Sequence, residues 1–170
     1  MATSLRPRMF VALTLGLVTL IAPGCGYSQH ELFRSDIESV HVEIFESKEF
    51  RRDIEFWLTE AVKKKISSDT PYKLTSREKA DTILRGEILE ERQNSFAPDY
   101  ATRLPRDQQL TLVMRVQWKD QRSGQMLVDQ PLLLQGADYL PPAGETEYFG
   151  QTKAIDRMAT RIIQKMYAEW

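Results

Sequence analysis

The chain has 170 residues, with 23 basic and 24 acidic side chains and a formal net charge of −1. This near-neutral balance gives no electrostatic argument for binding nucleic acid. The sequence contains one cysteine, so no disulfide can form within the chain and stability must come from packing. The length is sufficient for one domain with a hydrophobic core.

The N-terminal stretch has the layout of an export signal. Arg6 and Arg8 precede an apolar block of 14 residues, Met9 to Ala22, which no acidic residue interrupts. A helix that spans a membrane needs roughly 18 or more apolar residues, so this block is too short for a retained anchor. The single cysteine, Cys25, follows directly after a small residue.

The tetrapeptide Ala22-Pro23-Gly24-Cys25 resembles the lipobox of bacterial lipoproteins. The resemblance implies cleavage before Cys25, a diacylglyceryl group on its thiol, and anchoring to the membrane through acyl chains. Gly26 stands where an aspartate favours retention in the inner membrane, so the resemblance implies the outer membrane and a periplasm-facing protein. Ala22 replaces the more usual leucine, and an ordinary secretory signal that leaves a free thiol is the alternative.

Three segments are expected: a signal peptide at 1–24, a lipidated polar tether at 25–36 and a single domain at 37–170. At the start of the domain, alternating apolar residues predict a strand over 37–45, with Val40, Val42 and Ile44 on one face. Ser47 is the expected N-cap of an amphipathic helix. Its apolar stripe comprises Phe50, Ile54, Trp57, Leu58, Ala61, Val62 and Ile66.

After a short extended piece at 72–75, the segment 80–89 predicts a buried strand, in which Gly86 marks a close approach or a bulge. The polar stretch 93–108 is interpreted as a long loop, and long loops in compact domains are often functional. The expected partner contacts lie in it. They are Phe96, Tyr100, Arg103 and Arg106.

The clearest strand covers 110–119, where every second residue is apolar. A turn at 120–124 leads to a returning strand over 125–134, in which Pro131 indicates an edge position or a bulge. An irregular stretch at 136–144 precedes a closing helix. The apolar stripe of that helix comprises Ile155, Met158, Ala159, Ile162, Ile163, Met166 and Trp170.

These elements predict an α+β fold, a two-layer sandwich in which two helices pack on a mostly antiparallel sheet of about four strands. The element order is β-α-β-β-β-α. Large apolar residues such as Trp57, Trp118, Met158 and Trp170 are expected in the core rather than in a ligand site.

Several features occur together along the mature chain. They are Cys25-Gly26-Tyr27 at its start, the run Val40 to Glu46 that leads into the first helix, the fragment Ala80 to Gly86, the long-strand hairpin and the closing helix. In this order they resemble the LptE family, outer-membrane lipoproteins that plug the LptD β-barrel during lipopolysaccharide assembly. The resemblance implies a non-enzymatic protein that contacts lipopolysaccharide and an LptD-type barrel.

No constellation for catalysis or for metal binding is apparent. His30 and His41 are the only histidines, and no third ligand accompanies them. Glu87, Glu90 and Glu91 cluster at a strand end without bracketing a cleft, and Ser95 lacks the context of a nucleophile. We therefore expect no enzyme activity, no metal and no cofactor.

The arginines offer a second kind of chemistry, because guanidinium groups bind phosphates through paired hydrogen bonds. Arg85 and Arg115 lie inside predicted strands, and Arg92 and Arg122 lie at strand ends or turns. For any single arginine, pairing with a nearby acid or exposure to solvent is a simpler explanation than phosphate binding.

The function expected from the sequence is that of an outer-membrane lipoprotein which binds an LptD-type β-barrel and assists lipopolysaccharide transport and assembly. The alternative is an envelope lipoprotein that regulates a peptidoglycan synthase or a secretion channel. Such a regulator needs a long linker to cross the periplasm, whereas only about ten residues separate Cys25 from the first predicted strand.

Overall fold

The computed structural model describes residues 32–48, 53–98 and 105–167. In this part of the chain a six-stranded sheet carries two helices. The elements are β1 (Ser39–Val42), β2 (Glu46–Ser47), α1 (Ile54–Asp69), β3 (Lys73–Leu74), β4 (Thr82–Pro98), β5 (Pro105–Asp120), β6 (Met126–Tyr139), a 3-10 turn (Pro141–Ala143) and α2 (Glu147–Lys165).

The sheet is mixed. Its strand order is β3-β1-β4-β5-β6, and β2 pairs with β4 further along the same edge as β1. The pairings of β1 with β3 and β4, and of β2 with β4, are parallel, whereas β4, β5 and β6 are antiparallel. The α+β class is thus confirmed, but with six strands instead of about four. The strands β2 and β3 have two residues each, too few to produce a periodic pattern.

The helices cover one face of the sheet, and the core lies between the two layers. The predicted apolar face of β5 is confirmed, because its five alternating side chains are at most 1% exposed; they are Leu110, Leu112, Met114, Val116 and Trp118. The predicted stripe of α2 is likewise buried from Ile155 to Met166, and Trp170 lies outside the described residues. The Thr146 hydroxyl caps this helix by accepting a hydrogen bond from the Phe149 N–H.

The first helix starts later than predicted. Ser47 belongs to β2, and the N-cap is Asp53, whose φ of 85° is left-handed and whose side chain makes no capping hydrogen bond. Trp57 is 59% exposed, so its prediction as a core residue is wrong. The buried side of α1 is formed instead by Ile54, Leu58, Thr59, Val62 and Ile66.

The face assignment at the end of the first predicted strand is also wrong. Because β1 ends at Val42, the alternation stops there; Ile44 is 58% exposed and Phe45 is buried. The Phe45 N–H donates to the buried Thr59 hydroxyl at 3.0 Å, which ties this segment to α1. A Cβ at Gly86 would lie 2.9 Å from the Phe45 ring and 2.8 Å from the methyl carbon of Met114, so the expected close approach at Gly86 is confirmed.

The stretch 93–108 is not a long loop, which corrects the sequence prediction. β4 continues to Pro98 and β5 begins at Pro105, and the two strands stay paired as far as these prolines. The side chains of residues 92–96 are all exposed, so this part of the hairpin has no buried face. A strand that is polar on both faces lacks the apolar alternation by which strands are recognised, and it therefore resembles a loop in sequence.

The second hairpin agrees with the prediction. Its turn uses Gly124 at φ 74°, a conformation that favours glycine. β6 is an edge strand of the described sheet, and Pro131 lies in an irregularity of the β5–β6 pairing, where Met114 pairs with Leu133 and Val116 with Gln130. The expected irregular stretch at 136–144 is shorter than predicted, because β6 continues to Tyr139.

The chain enters the domain at one end of the sheet. Phe33, inside the predicted tether, is buried and forms edge-to-face contacts with Tyr72 and Tyr167 at centroid distances of 5.7 and 5.1 Å. Cys25 and His30 lie outside the described residues. Among the helices that are described, none combines the length and apolar character required to cross a membrane.

An aspartate clamp joins β1 to the start of β4. Asp81 accepts hydrogen bonds from the Ser39 hydroxyl at 2.8 Å and from the N–H groups of Ser39 and Glu38 at 3.0 and 3.2 Å, and its own N–H donates to the Ser39 oxygen at 3.0 Å. The Ser39 hydroxyl, more than any other group, holds the Asp81 pKa below its usual value of 3.8. The clamp fixes the register in which Val40 pairs with Thr82.

Candidate partner-binding surfaces

The residues expected to contact a partner belong to the stretch 93–108. Its described residues, 93–98 of β4 and 105–108 of β5, form the outer half of the β4–β5 hairpin. Phe96 is 50% exposed and is the cross-strand neighbour of Asp107. Arg106 lies in β5, immediately before Asp107, and its side chain is outside the description. Tyr100 and Arg103 fall between the two described strands, in residues 99–104. The structure therefore places two of the four positions on adjacent strands, and all four remain predictions as partner contacts.

A polar cluster that the sequence did not reveal joins the hairpin to β6. The Gln93 side-chain amide donates to the Gln108 carbonyl at 2.9 Å and to the hydroxyl of Tyr139, and that hydroxyl donates to the same Gln108 oxygen. Tyr139 is only 2% exposed. Its ring lies so close to Gly150 of α2 that a Cβ there would overlap it. The only sequence signal was the glycine within an amphipathic helix.

The face of the sheet turned away from the helices is charged and largely self-neutralised. Glu43 pairs with Arg85 at 2.8 Å and with Arg77 at 3.2 Å, and Lys48 pairs with Glu87 at 3.0 Å. Exposed ion pairs of this kind contribute little stability. They do neutralise the charges that an anionic ligand would use.

Three of the six arginines singled out from the sequence, Arg85, Arg92 and Arg122, are paired with acids. Arg92 contacts Glu90 at 2.5 Å, and this hydrogen bond lowers the pKa of Glu90. Arg122, in the β5–β6 turn, lies 3.8 Å from both Asp81 and Asp120. These observations favour pairing over phosphate binding at those positions. Arg115 forms no ion pair with any of the residues that the structure describes.

The two helices form a groove of about 620 Å³ on their outer side. Trp57 of α1 and Tyr148 of α2, which are 59% and 68% exposed, line it together with Ile155. Lys65 and Asp156 form an ion pair within the same lining, at 3.2 Å. Its aromatic lining makes this groove a second candidate surface for a protein or lipid contact.

The residues considered earlier as catalytic or metal-binding candidates make ordinary contacts with neighbouring groups. The Nδ1 atom of His41 lies 3.0 Å from the Thr75 carbonyl oxygen. Glu87 and Glu90, as described above, each pair with a cation. Within the described ranges, no group of three or more His, Cys, Asp or Glu side chains could hold a metal ion.

A protein-family model described as "LptE: Lipopolysaccharide-assembly" matches residues 37–170. The match therefore covers β1, the hairpin and both helices. The comparison with curated proteins finds no match.

Solved structures show the same fold at low sequence identity. The hypothetical protein CT253 from Chlamydia trachomatis has a TM-score of 0.54 and 11% identity, over 76% of this chain and 97% of that one. A variant of the PelC dodecamer from Paraburkholderia phytofirmans has a TM-score of 0.51 and 8% identity, over 80% and 93%. The uncharacterized lipoprotein B from Nitrosomonas europaea has a TM-score of 0.51 and 13% identity, over 75% and 81%. At these identities the likeness concerns the fold alone.

Proposed function

Because the chain belongs to the LptE family, we propose that it is a lipid-anchored outer-membrane protein that binds an LptD-type β-barrel and assists lipopolysaccharide transport and assembly. The observation that carries this proposal is the family match over residues 37–170. In this proposal the protein catalyses no reaction, and its contribution is to bind its partners.

The sequence of the N-terminus supports the anchoring. Cys25 is the lipidated residue, residues 1–24 are removed, and residues 25–36 connect the lipid to the domain at 37–170. Phe33 is already packed against Tyr72 and Tyr167, so only the residues from 25 to 32 remain to reach the membrane. Eight residues span at most about 28 Å, which keeps the domain at the membrane surface.

The shape of the hairpin supports its role as a partner contact. β4 has 17 residues and β5 has 16, so the hairpin is about 55 Å long. Its inner half forms the core, while its outer half exposes Phe96 among polar side chains. An aromatic side chain beside arginines is a common composition for the centre of a protein interface. We propose Phe96, Tyr100, Arg103 and Arg106 as contacts to the barrel or to lipopolysaccharide.

The test is a pull-down from membranes in mild detergent with the tagged full-length chain, followed by mass spectrometry of the proteins recovered. We expect a large β-barrel of the LptD type in near-equal amount. Recovery of a peptidoglycan synthase or a secretion channel in its place would support the regulatory alternative. Recovery of neither would contradict the barrel-binding part of the proposal.

A further inference from the structure

Four cationic residues form a row along one side of α2: Lys153, Arg157, Arg161 and Lys165. Residues four apart in a helix lie on the same side, so the row extends over about 18 Å. Arg157 and Arg161 are exposed, and the two lysines are half-buried. We call this set the basic row.

The basic row consists of cations that have no acidic partner among the described residues. Lys63 pairs with Glu60, whereas within residues 32–48, 53–98 and 105–167 no member of the row forms an ion pair. The nearby acid Asp156 is engaged by Lys65 of α1. A second acid close to the row, Asp138, accepts a hydrogen bond from the Gln109 side chain through its carboxylate and contacts Lys153 only through its backbone carbonyl.

The hydrogen bonds that the row makes are to neutral oxygens, and Lys153 also lies over the Phe149 ring, 5.7 Å from its centroid. Lys153 donates to the backbone carbonyl of Asp138, and Arg157 to that of Gly136, both at 3.0 Å. Arg161 lies 3.5 Å from the side-chain carbonyl of Gln164. The two carbonyls lie on the edge strand β6 and are occupied, so the addition of a partner strand is disfavoured there. The row is therefore better suited to a ligand recognised by charge than to one recognised by strand pairing.

A cavity in the middle of the row has the lining that an anion requires. Its volume is about 330 Å³, and its lining residues are Gln135, Arg157, Thr160, Arg161 and Gln164. These side chains supply two guanidinium groups, two amides and a hydroxyl, and none is a carboxylate. Guanidinium groups form paired hydrogen bonds with phosphate oxygens.

One end of the basic row lies where the tether enters the domain. Lys165 lines a cavity together with Phe33, and Phe33 pairs with Tyr167, two residues beyond Lys165. Asp36, which lines the same cavity, is already engaged by Arg34. Since at most about 28 Å of chain separates Phe33 from Cys25, a lipid on Cys25 would hold this end near the membrane.

We propose that the basic row binds the anionic phospholipid headgroups of the leaflet in which the lipid on Cys25 is anchored. The inference rests on the proposed lipid anchor, to which it adds a second, electrostatic membrane contact. A basic patch adds electrostatic attraction to anionic lipids to the membrane affinity that acyl chains provide. Each Lys or Arg near an anionic surface contributes about 1 kcal/mol, which is about fivefold in affinity.

The test uses the mature chain, residues 25–170, with Cys25→Ser so that no lipid contributes to binding. Vesicles of phosphatidylcholine with about one quarter phosphatidylglycerol are compared with pure phosphatidylcholine by co-sedimentation. The test variant is R161Q/K165Q. It leaves unchanged Lys153 and Arg157, the two residues that donate hydrogen bonds to carbonyls of β6. The control is K63Q/K64Q, which removes the same charge from α1. Thermal unfolding checks that both variants are folded.

We expect binding to the anionic vesicles only, weakened by added salt, roughly 25-fold weaker in R161Q/K165Q and unchanged in K63Q/K64Q. Equal binding by R161Q/K165Q, or equal binding to neutral vesicles, would overturn the inference. Binding through the row to lipopolysaccharide micelles but not to phosphatidylglycerol would also overturn it.

The same variant separates this inference from the proposed function. Loss of vesicle binding with normal recovery of the barrel in the pull-down supports the basic row as a membrane contact. Loss of barrel recovery in the pull-down with unchanged vesicle binding overturns the inference and indicates that the row contacts the barrel. Failure of the wild-type pull-down, with vesicle binding that depends on the row, contradicts only the barrel-binding part of the proposed function.

Discussion

At the scale of single residues, the hydrogen bonds of Asp81 explain what this residue of the fragment Ala80 to Gly86 does in the fold. Its carboxylate accepts three hydrogen bonds from β1 and the residue before it, and its N–H completes the exchange with Ser39. At the other end of the fragment, Gly86 leaves room for the ring of Phe45. Both residues act on the pairing of β1 with β4. Asp81 fixes the register of this pairing, and Gly86 allows the segment after β1, which contains Phe45, to pack over β4.

Replacing Asp81 by Asn removes the charge that these donors stabilise, and we expect a loss of about 1–2 kcal/mol in unfolding free energy at neutral pH. Since the folded-state pKa of Asp81 lies below 3.8, its contribution is complete above that value and disappears as the pH falls through the lowered pKa. Urea unfolding at several pH values measures both effects.

The control for this change is Asp69→Asn, at an exposed carboxylate at the end of α1. We expect the difference between Asp81→Asn and the wild type to shrink at acid pH, where the native carboxylate is protonated as well. A difference that stays constant from neutral to acid pH would argue against the clamp.

Gly150 illustrates a second residue-scale effect, in which packing overrides propensity. Alanine favours a helix over glycine by about 1 kcal/mol, so Gly150→Ala should stabilise α2 if only propensity mattered. Because the added Cβ would overlap the Tyr139 ring, we expect the variant to be destabilised by about 1–3 kcal/mol. Thr152→Ala, at an exposed position of the same helix, serves as the control in thermal unfolding, and a more stable Gly150→Ala would refute the contact.

At the scale of elements, the β4–β5 hairpin combines two environments in one continuous pairing. The inner half is held by core packing, and the cluster of Gln93, Gln108 and Tyr139 lies where the outer half begins. Strand pairing then continues to Pro98 and Pro105 without a buried face. The outer half is therefore a surface that can be changed with little effect on folding.

Charge reversal of Arg103 and Arg106 tests the proposed contact on this element. We expect the double variant R103E/R106E to recover less barrel in the pull-down, because it replaces two cations by anions at the proposed interface, and to unfold at the same temperature as the wild type. K73E/K79E makes the same charge change at exposed positions outside the hairpin and should bind normally. Unchanged recovery with R103E/R106E would exclude these arginines as contacts.

At the scale of the whole molecule, the two ends of the sheet differ in character. Phe33, Tyr72 and Trp118 come together where the tether enters. The described part of the hairpin extends to Pro105, thirteen residues before Trp118 along β5, which corresponds to roughly 43 Å. The anchor proposed at one end would therefore leave the hairpin free to reach the proposed partner at the other.

The proposed anchor makes a prediction about the whole molecule. The variant Cys25→Ala cannot accept a lipid, so we expect it to be missing from the outer-membrane fraction while its domain remains folded. Fractionation with immunodetection measures the distribution, and Ser28→Ala in the same tether is the control. Normal outer-membrane fractionation of Cys25→Ala would contradict lipidation as the sorting signal.

The sequence by itself determined the α+β class, the strand β5 with its buried face, and the stripe of α2, because these elements have one apolar face and a clear period. It also predicted the family, which the match over 37–170 confirms. It did not predict the outer half of the hairpin or the start of α1. Residues 92–96 are held by backbone pairing rather than by a buried face, and Asp53 begins its helix without a side-chain cap.

Only the tertiary structure decided which residues come together across the sheet. The contact of Gly150 with Tyr139 and the cluster of Tyr139 with Gln93 and Gln108 join residues far apart in the chain. Trp57 fits the periodic stripe but is exposed, because no other described element covers its side of α1. The physical reason is that periodicity reports how one element is exposed, whereas burial and pairing depend on which other elements the fold brings against it.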